Sequence, residues 1–145
     1  MKLSIAIVGA GLSGLTLAQV LGEHAEVTVF EKARGVGGRM STRYADEFYF
    51  DHGAQYFTVR NKHFKKFLMP YFSSGVVQEW RGKVATLEKG KRMTDRIWFE
   101  PHYVATPGMS SLCKKLAENI KVNFHCEVAP LGEKSKLGWE LFHKD

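Results

Sequence analysis

The stretch "LSIAIVGAGLSGLTLAQVLGEHAEVTVFE" (residues 3–31) decides the fold, because four signals follow one another in it without interruption. Residues 3–8 form a short, nearly continuous apolar run, which predicts a strand buried on both faces of a parallel sheet. Leu12, Leu15, Ala18 and Leu21 then recur at about helical spacing, and Gly22 offers a stop. Residues 26–30 read as the next strand. The unit is β-α-β. Between its first strand and its helix, Gly9, Gly11 and Gly14 make the pattern GxGxxG. Glycines so placed permit a tight turn, close backbone approach to a pyrophosphate, and tight packing of the helix. The unpaired amides that open the helix carry partial positive charge and face an anion. Glu31 ends the second strand twenty positions after Gly11, where a carboxylate accepts hydrogen bonds from a ribose and repels a 2′-phosphate.

The composition agrees with a single globular unit. The chain has 145 residues, 44% of them hydrophobic and 12% aromatic, enough for a sizeable core. Its net charge of +6 permits anionic partners, but the basic residues are scattered. No helix-turn-helix, zinc-finger or RNA-binding aromatic signature accompanies them, so a nucleic-acid partner is not expected and the charge reads as a solvated face. Cys113 and Cys126 form no CxxC pair, which points away from a disulfide framework or zinc site and fits a reducing cytoplasm. The histidines lack metal-ligand spacing. Glycines interrupt the apolar N-terminal run, arguing against a signal peptide or a membrane span.

FAD and NAD share an adenosine diphosphate, so residues 3–31 alone do not separate them. After Glu31 come five residues and then Gly37, Gly38 and Arg39, within "EKARGVGGRMSTR" (residues 31–43). This second glycine loop resembles that of the flavoprotein amine oxidase superfamily. The resemblance implies that Arg39 lies beside the FAD pyrophosphate, where its planar fork can neutralise charge. Many members carry an arginine two residues after the acid, whereas this chain has Ala33 there and Arg34 one position later. Ser41 and Thr42 match loosely the hydroxyl residues that close the motif, and equally suit a turn.

With "DHGAQYFT" (residues 51–58) and "TPGMSSLCKKLA" (residues 106–117), the resemblance narrows to the renalase-like branch. It implies FAD as cofactor, with contacts at Gly9, Gly11, Leu12, Ser13, Gly14, Glu31, Lys32, Gly38, Arg39, Met40, Gly53, Ala54, Gln55 and Val128. Gly53, Ala54 and Gln55 would lie near the flavin and ribityl chain, with Gln55 bonding the ring's polar edge. A purely structural strand-end turn is the alternative for them. Val128 would hold adenine through backbone groups. No catalytic residue is assigned: flavin oxidations can proceed by hydride transfer to the cofactor itself. His52 is expected to pack or hydrogen-bond rather than act as an acid or base. Tyr56, Phe57, Trp80, Trp98, Phe99 and Tyr103 are candidate pocket aromatics, although most aromatics are core.

The remaining segments predict a helix capped by Asn61 that bends or ends at Pro70, and short strands at "VVQEW", "KVATLE", "RIWF" and "YVA". A further helix over 110–118 and strands at "KVNFHCEV" and "WELF" follow. The expected architecture is α/β: a Rossmann-like FAD/NAD(P)-binding domain over residues 1–60 and 105–145. The beginning of an inserted β-rich substrate domain interrupts it at 61–104. The implied activity is an FAD-dependent oxidoreductase that takes a hydride from a small amine or dihydronicotinamide-type substrate, with molecular oxygen as reoxidant. The family continues with a C-terminal segment of which no counterpart is visible here. The chain therefore also reads as an N-terminal half, a non-catalytic nucleotide-binding fragment needing another chain or self-association. An NAD-dependent dehydrogenase is the third reading.

Overall fold

The computed structural model describes residues 2–97, 99–136 and 138–144. Three parallel strands form the central sheet: β1 (Ser4–Val8), β2 (Glu26–Phe30) and, from far along the chain, β10 (Lys121–Asn123). Their order is β1-β2-β10, with Ile7 opposite Val29 and Val29 opposite Val122. The connecting helix α1 (Leu12–Gly22) stops where glycine was expected to stop it. It packs beside α3 (Ser110–Ala117), and the Gln19 side-chain amide donates to the Leu116 carbonyl at 3.2 Å.

Ile7, Leu15, Ala18, Val29, Leu112 and Leu116 form the heart of the core, each less than 9% exposed. Leu68 of α2 (Lys62–Ser73) and Val77 of β6 (Val77–Glu79) belong to the same cluster. The core therefore runs on unbroken into residues 61–104.

Burial of β1 on both faces is corrected by the structure. Ile7 is 7% exposed, but Ala6 is exposed and Val8 is 61% exposed. The helices cover one face, and the strand's side chains alternate between that face and the open one. An apolar run shows that a strand can be covered, not that it is.

Pro70 does not end α2, since the helix runs on to Ser73. Proline lacks the N–H that would bond the carbonyl four residues back, but it sits in the last turn, where its own carbonyl accepts from the Ser74 N–H at 3.0 Å. Asn61 caps this helix as expected, its Oδ1 accepting from the amides of His63 at 2.7 Å and Phe64 at 3.3 Å.

Most of the later strands are shorter than their sequences predict, the exception being "YVA", which lies within a strand His102–Ala105. "KVATLE" pairs only over β7 (Ala85–Thr86), and its partner is β8 (Thr94–Asp95), upstream of "RIWF". Trp98 lies outside the described residues, while Ile97 and Phe99 are in no strand. "KVNFHCEV" leaves the sheet after Asn123, with His125 at φ 53°. "WELF" contributes only Trp139, in the hairpin of β11 (Lys134–Ser135) and β12 (Gly138–Trp139).

A hairpin of β3 (Thr42–Ala45) and β4 (Phe48–Asp51) is fastened to α3 by a polar network. The Thr42 hydroxyl donates to Asp51 Oδ1 at 2.6 Å, and the same oxygen accepts the Met109 N–H at 2.9 Å. Thr42 Oγ1 in turn accepts the Ser110 N–H at 3.0 Å. Two amides at the start of α3 thus find acceptors on a distant hairpin, which replaces a local cap. Beside them the Lys114 ammonium donates to the Tyr44 hydroxyl at 2.6 Å and, together with Ser110, holds that phenol below its ordinary range.

Cys113 is fully buried in α3, and this burial pushes its thiol up to about 11 from an ordinary value of 9.0. The folded-state value is the higher one, so the stability it contributes is complete below about pH 9 and is lost as pH rises toward about 11. In urea unfolding across that window, the native protein is expected to lose on the order of 1–3 kcal/mol more than a Cys113→Ala variant. Parallel loss in the two proteins would refute this assignment.

Candidate functional site

The site is built where β1 gives way to α1. Gly9 takes φ +101°, a conformation that favours glycine, and its N–H donates to the Phe30 carbonyl at 2.7 Å, holding the turn against the end of β2. Gly11 precedes the helix in extended conformation and makes no side-chain cap. The first helical bond runs from the Leu15 N–H to the Gly11 carbonyl at 3.0 Å. The amides of Leu12, Ser13 and Gly14 therefore point out of the helix end, where the helix dipole makes them attractive to anions. A Cβ on Gly14 would lie 2.1 Å from the Gly9 carbonyl oxygen, so the helix start and the turn touch backbone to backbone.

Glu31 does more here than end a strand. It is 8% exposed, and its Oε2 accepts the Ala10 N–H at 2.7 Å while its Oε1 accepts the Ala33 N–H at 2.8 Å. A carboxylate offers about four acceptor positions, so capacity remains on its cleft side.

The second glycine loop lies alongside the first. The Gly37 N–H donates to the Ala10 carbonyl at 2.9 Å, and Gly11 and Gly37 form a parallel bridge. Gly37 and Gly38 both take positive φ, 130° and 54°, which starts the short 3-10 turn Gly38–Met40. Arg39 and Arg34 are exposed; Ser41 donates its hydroxyl to the Gly38 carbonyl, a turn-stabilising role.

Two adjoining clefts result. One, of about 440 Å³, is lined by Phe30, Glu31, Lys32, Cys126, Glu127 and Val128. The other, of about 600 Å³, is lined by Leu12, Ser13, Gly14, Gly37, Arg39, Met40 and Ala54. Val8, Gly9, Gly11 and Gly38 border both. They form the shared floor.

Most of the residues named from sequence meet on these walls, and two do not. Gly53 faces protein, since a Cβ there would lie 2.2 Å from the Arg39 carbonyl oxygen, and the Ala54 N–H donates to that carbonyl at 2.8 Å. Its lack of a side chain serves contact between two loops. Gln55 lines a third cavity of about 670 Å³, with Tyr56, Phe57, Trp80, Phe99 and His102. Tyr56 stands edge-on to His102 at 4.5 Å and 5.9 Å from Trp80, whereas Tyr103 packs against Phe72 at 5.1 Å. His52 is exposed.

Val128 forms an isolated bridge to His143 rather than a strand. The flanking bonds, Ala129 N–H to Phe142 carbonyl at 2.8 Å and Lys144 N–H to Glu127 carbonyl at 2.7 Å, leave the N–H and C=O of Val128 turned away from His143. Cys126 and Glu127 on the same wall were missed from sequence. Their only signal was a position just beyond the last parallel strand, where ligands bind in open α/β sheets.

Among the described residues no group of His, Cys, Asp and Glu is placed to hold a metal ion, and no helix is long and apolar enough to cross a membrane.

Residues 7–69 match the family described as an NAD(P)-binding Rossmann-like domain. The chain is 46% identical over 52 residues to 4,4'-diapophytoene desaturase of Staphylococcus aureus, a match that covers 35% of this chain and 10% of the desaturase. In solved structures, a protein from Photorhabdus luminescens described as an FAD-containing monooxygenase superposes on 98% of this chain with a TM-score of 0.59 and 15% identity. This chain covers 35% of it. A putrescine oxidase with redesigned cofactor binding is 26% identical over 67% of this chain, at a TM-score of 0.49 and 22% coverage of the oxidase. The chain is an α/β protein with a Rossmann-like fold, its residues 7–69 matching the NAD(P)-binding Rossmann-like family and 52 of its residues aligning with the desaturase.

Proposed function

We propose that the joined clefts hold FAD and that the chain supplies the nucleotide-binding part of an FAD-dependent oxidoreductase. The observation that carries this reading is the shared floor of Val8, Gly9, Gly11 and Gly38, which makes one continuous trough from Glu31 and Val128 to Arg39 and Ala54. The residues present fit such a ligand. Gly9 has open space where a Cβ would stand, and the nearest atom to a Cβ on Gly11 would be 4.0 Å away, so a diphosphate can lie on bare backbone. The amides of Leu12 and Ser13 and the guanidinium of Arg39 would bind its charge. Glu31 would accept from the ribose, and the free main-chain groups of Val128 would meet adenine.

FAD, when bound, supplies the acceptor for a hydride. The chain's own residues would orient the cofactor. The resemblance to the renalase-like branch supports the finer reading, in which a small amine or a dihydronicotinamide-type compound is the donor and oxygen the reoxidant. A second reading, nucleotide binding without turnover until further chain or a partner completes the protein, is favoured by the open face of the sheet. There Val8 is 61% exposed, and Ala6 beside it is exposed too.

An anaerobic titration followed by visible absorbance tests both. Bound flavin that bleaches with an amine or dihydronicotinamide supports the oxidoreductase, and bound flavin that no donor bleaches supports the second reading. Colourless protein that rejects added FAD would overturn the two together.

A further inference from the structure

Glu31 is engaged on both carboxylate oxygens within the protein itself, and its partners are anchors in their own right. Ala10, whose N–H it accepts at 2.7 Å, receives the Gly37 N–H on its carbonyl at 2.9 Å. Ala33, whose N–H it accepts at 2.8 Å, receives the His125 N–H on its carbonyl at 3.2 Å. The main chain of Glu31 adds two bonds, its N–H to the Asn123 carbonyl at 2.8 Å and its carbonyl to the Cys126 N–H at 2.9 Å. One residue therefore joins three segments that wall the adenosine end of the trough: the first glycine loop, the turn leading into the second, and the chain beyond β10.

We propose that Glu31 is a positioning residue that holds these three segments at nucleotide-binding spacing, in addition to any bond it makes to a ribose. The inference rests on the nucleotide-binding reading above. Its basis is the geometry of the acceptor: two backbone donors converge on one buried anion, and hydrogen bonds to charged groups are the stronger ones. Glutamine in its place keeps a single acceptor oxygen and turns an NH₂ group toward the second amide, where donor meets donor. One loop is then released. The walls should lose their spacing even for a ligand that never touches the carboxylate.

That last consequence separates positioning from ribose recognition. Binding of ADP and of 2′,3′-dideoxy-ADP is measured calorimetrically on the native protein and on Glu31→Gln. The expected result is that the substitution weakens both nucleotides by about tenfold or more. If it weakens ADP and leaves dideoxy-ADP unchanged, Glu31 serves the ribose alone and the proposal is overturned. Amide hydrogen exchange on the ligand-free native protein gives a readout that survives failure of the variant to fold. Ala33 should be protected, and exchange at the rate of an unstructured amide would also overturn the proposal. If the native protein binds neither nucleotide, the FAD reading fails, while protection at Ala33 still decides the clamp.

Discussion

An alanine at Gly14 is expected to destabilise the protein by roughly 2 kcal/mol or more and to abolish nucleotide binding. The added Cβ would stand 2.1 Å from the Gly9 carbonyl oxygen and 3.3 Å from its carbon, and both are backbone atoms that no rotamer change can move aside. Relief requires that the start of α1 separate from the turn at Gly9. That turn is held to β2 through the Gly9 N–H and to Glu31 through the Ala10 N–H, so the strain spreads into every wall of the trough. Gly22 supplies the control. A Cβ there meets nothing within 4 Å, and alanine at that position should leave the protein at least as stable, since alanine is the better helix former. Urea unfolding of the two variants checks the contrast. Equal stabilities would show that the helix does not press on the turn.

Truncation of Asp51 to alanine should cost about 2–3 kcal/mol. Its Oδ1 accepts from both the Thr42 hydroxyl and the Met109 N–H, and Met109 is fully buried, so the stranded amide has no water to turn to. The hairpin would loosen from α3, and with it the loop that carries Gly53 and Ala54 to the Arg39 carbonyl. FAD affinity should fall as stability falls. Asp51→Asn keeps an acceptor oxygen at the same reach and should restore most of both losses. An alanine variant that unfolds within about 0.5 kcal/mol of the native protein would remove Asp51 from the structural account.

These two residues also show where sequence reasoning works. Gly14 was legible because its partners are local: a strand, a turn and a helix within thirty residues specify one another through apolar period and glycine spacing. The ends of β2 and α1 were placed for the same reason. Asp51 was not legible as a helix anchor, because its partner amide on Met109 is 58 positions away and every buried backbone N–H looks alike in sequence. Glu31 was legible in its place at the end of β2 and not in its contacts. Its distance from Gly11 marked it as a ribose ligand, but nothing in its neighbours' identities announces that two alanine amides use the same carboxylate. Gly53 was read for a ligand and faces a carbonyl instead, since sequence records a missing side chain and not what fills its place. Val8 fits the same pattern, its exposure depending on what packs over the sheet.

Calorimetric titration with FAD and with ADP, on the native protein and on Arg39→Ala, tests most directly whether the second glycine loop extends an adenosine site toward a flavin. A continuous trough predicts that FAD binds about tenfold or more tighter than ADP, and that Arg39→Ala weakens both ligands, since each carries the diphosphate that the guanidinium would meet. Equal affinities for FAD and ADP in the native protein, or binding of ADP with rejection of FAD, would contradict it.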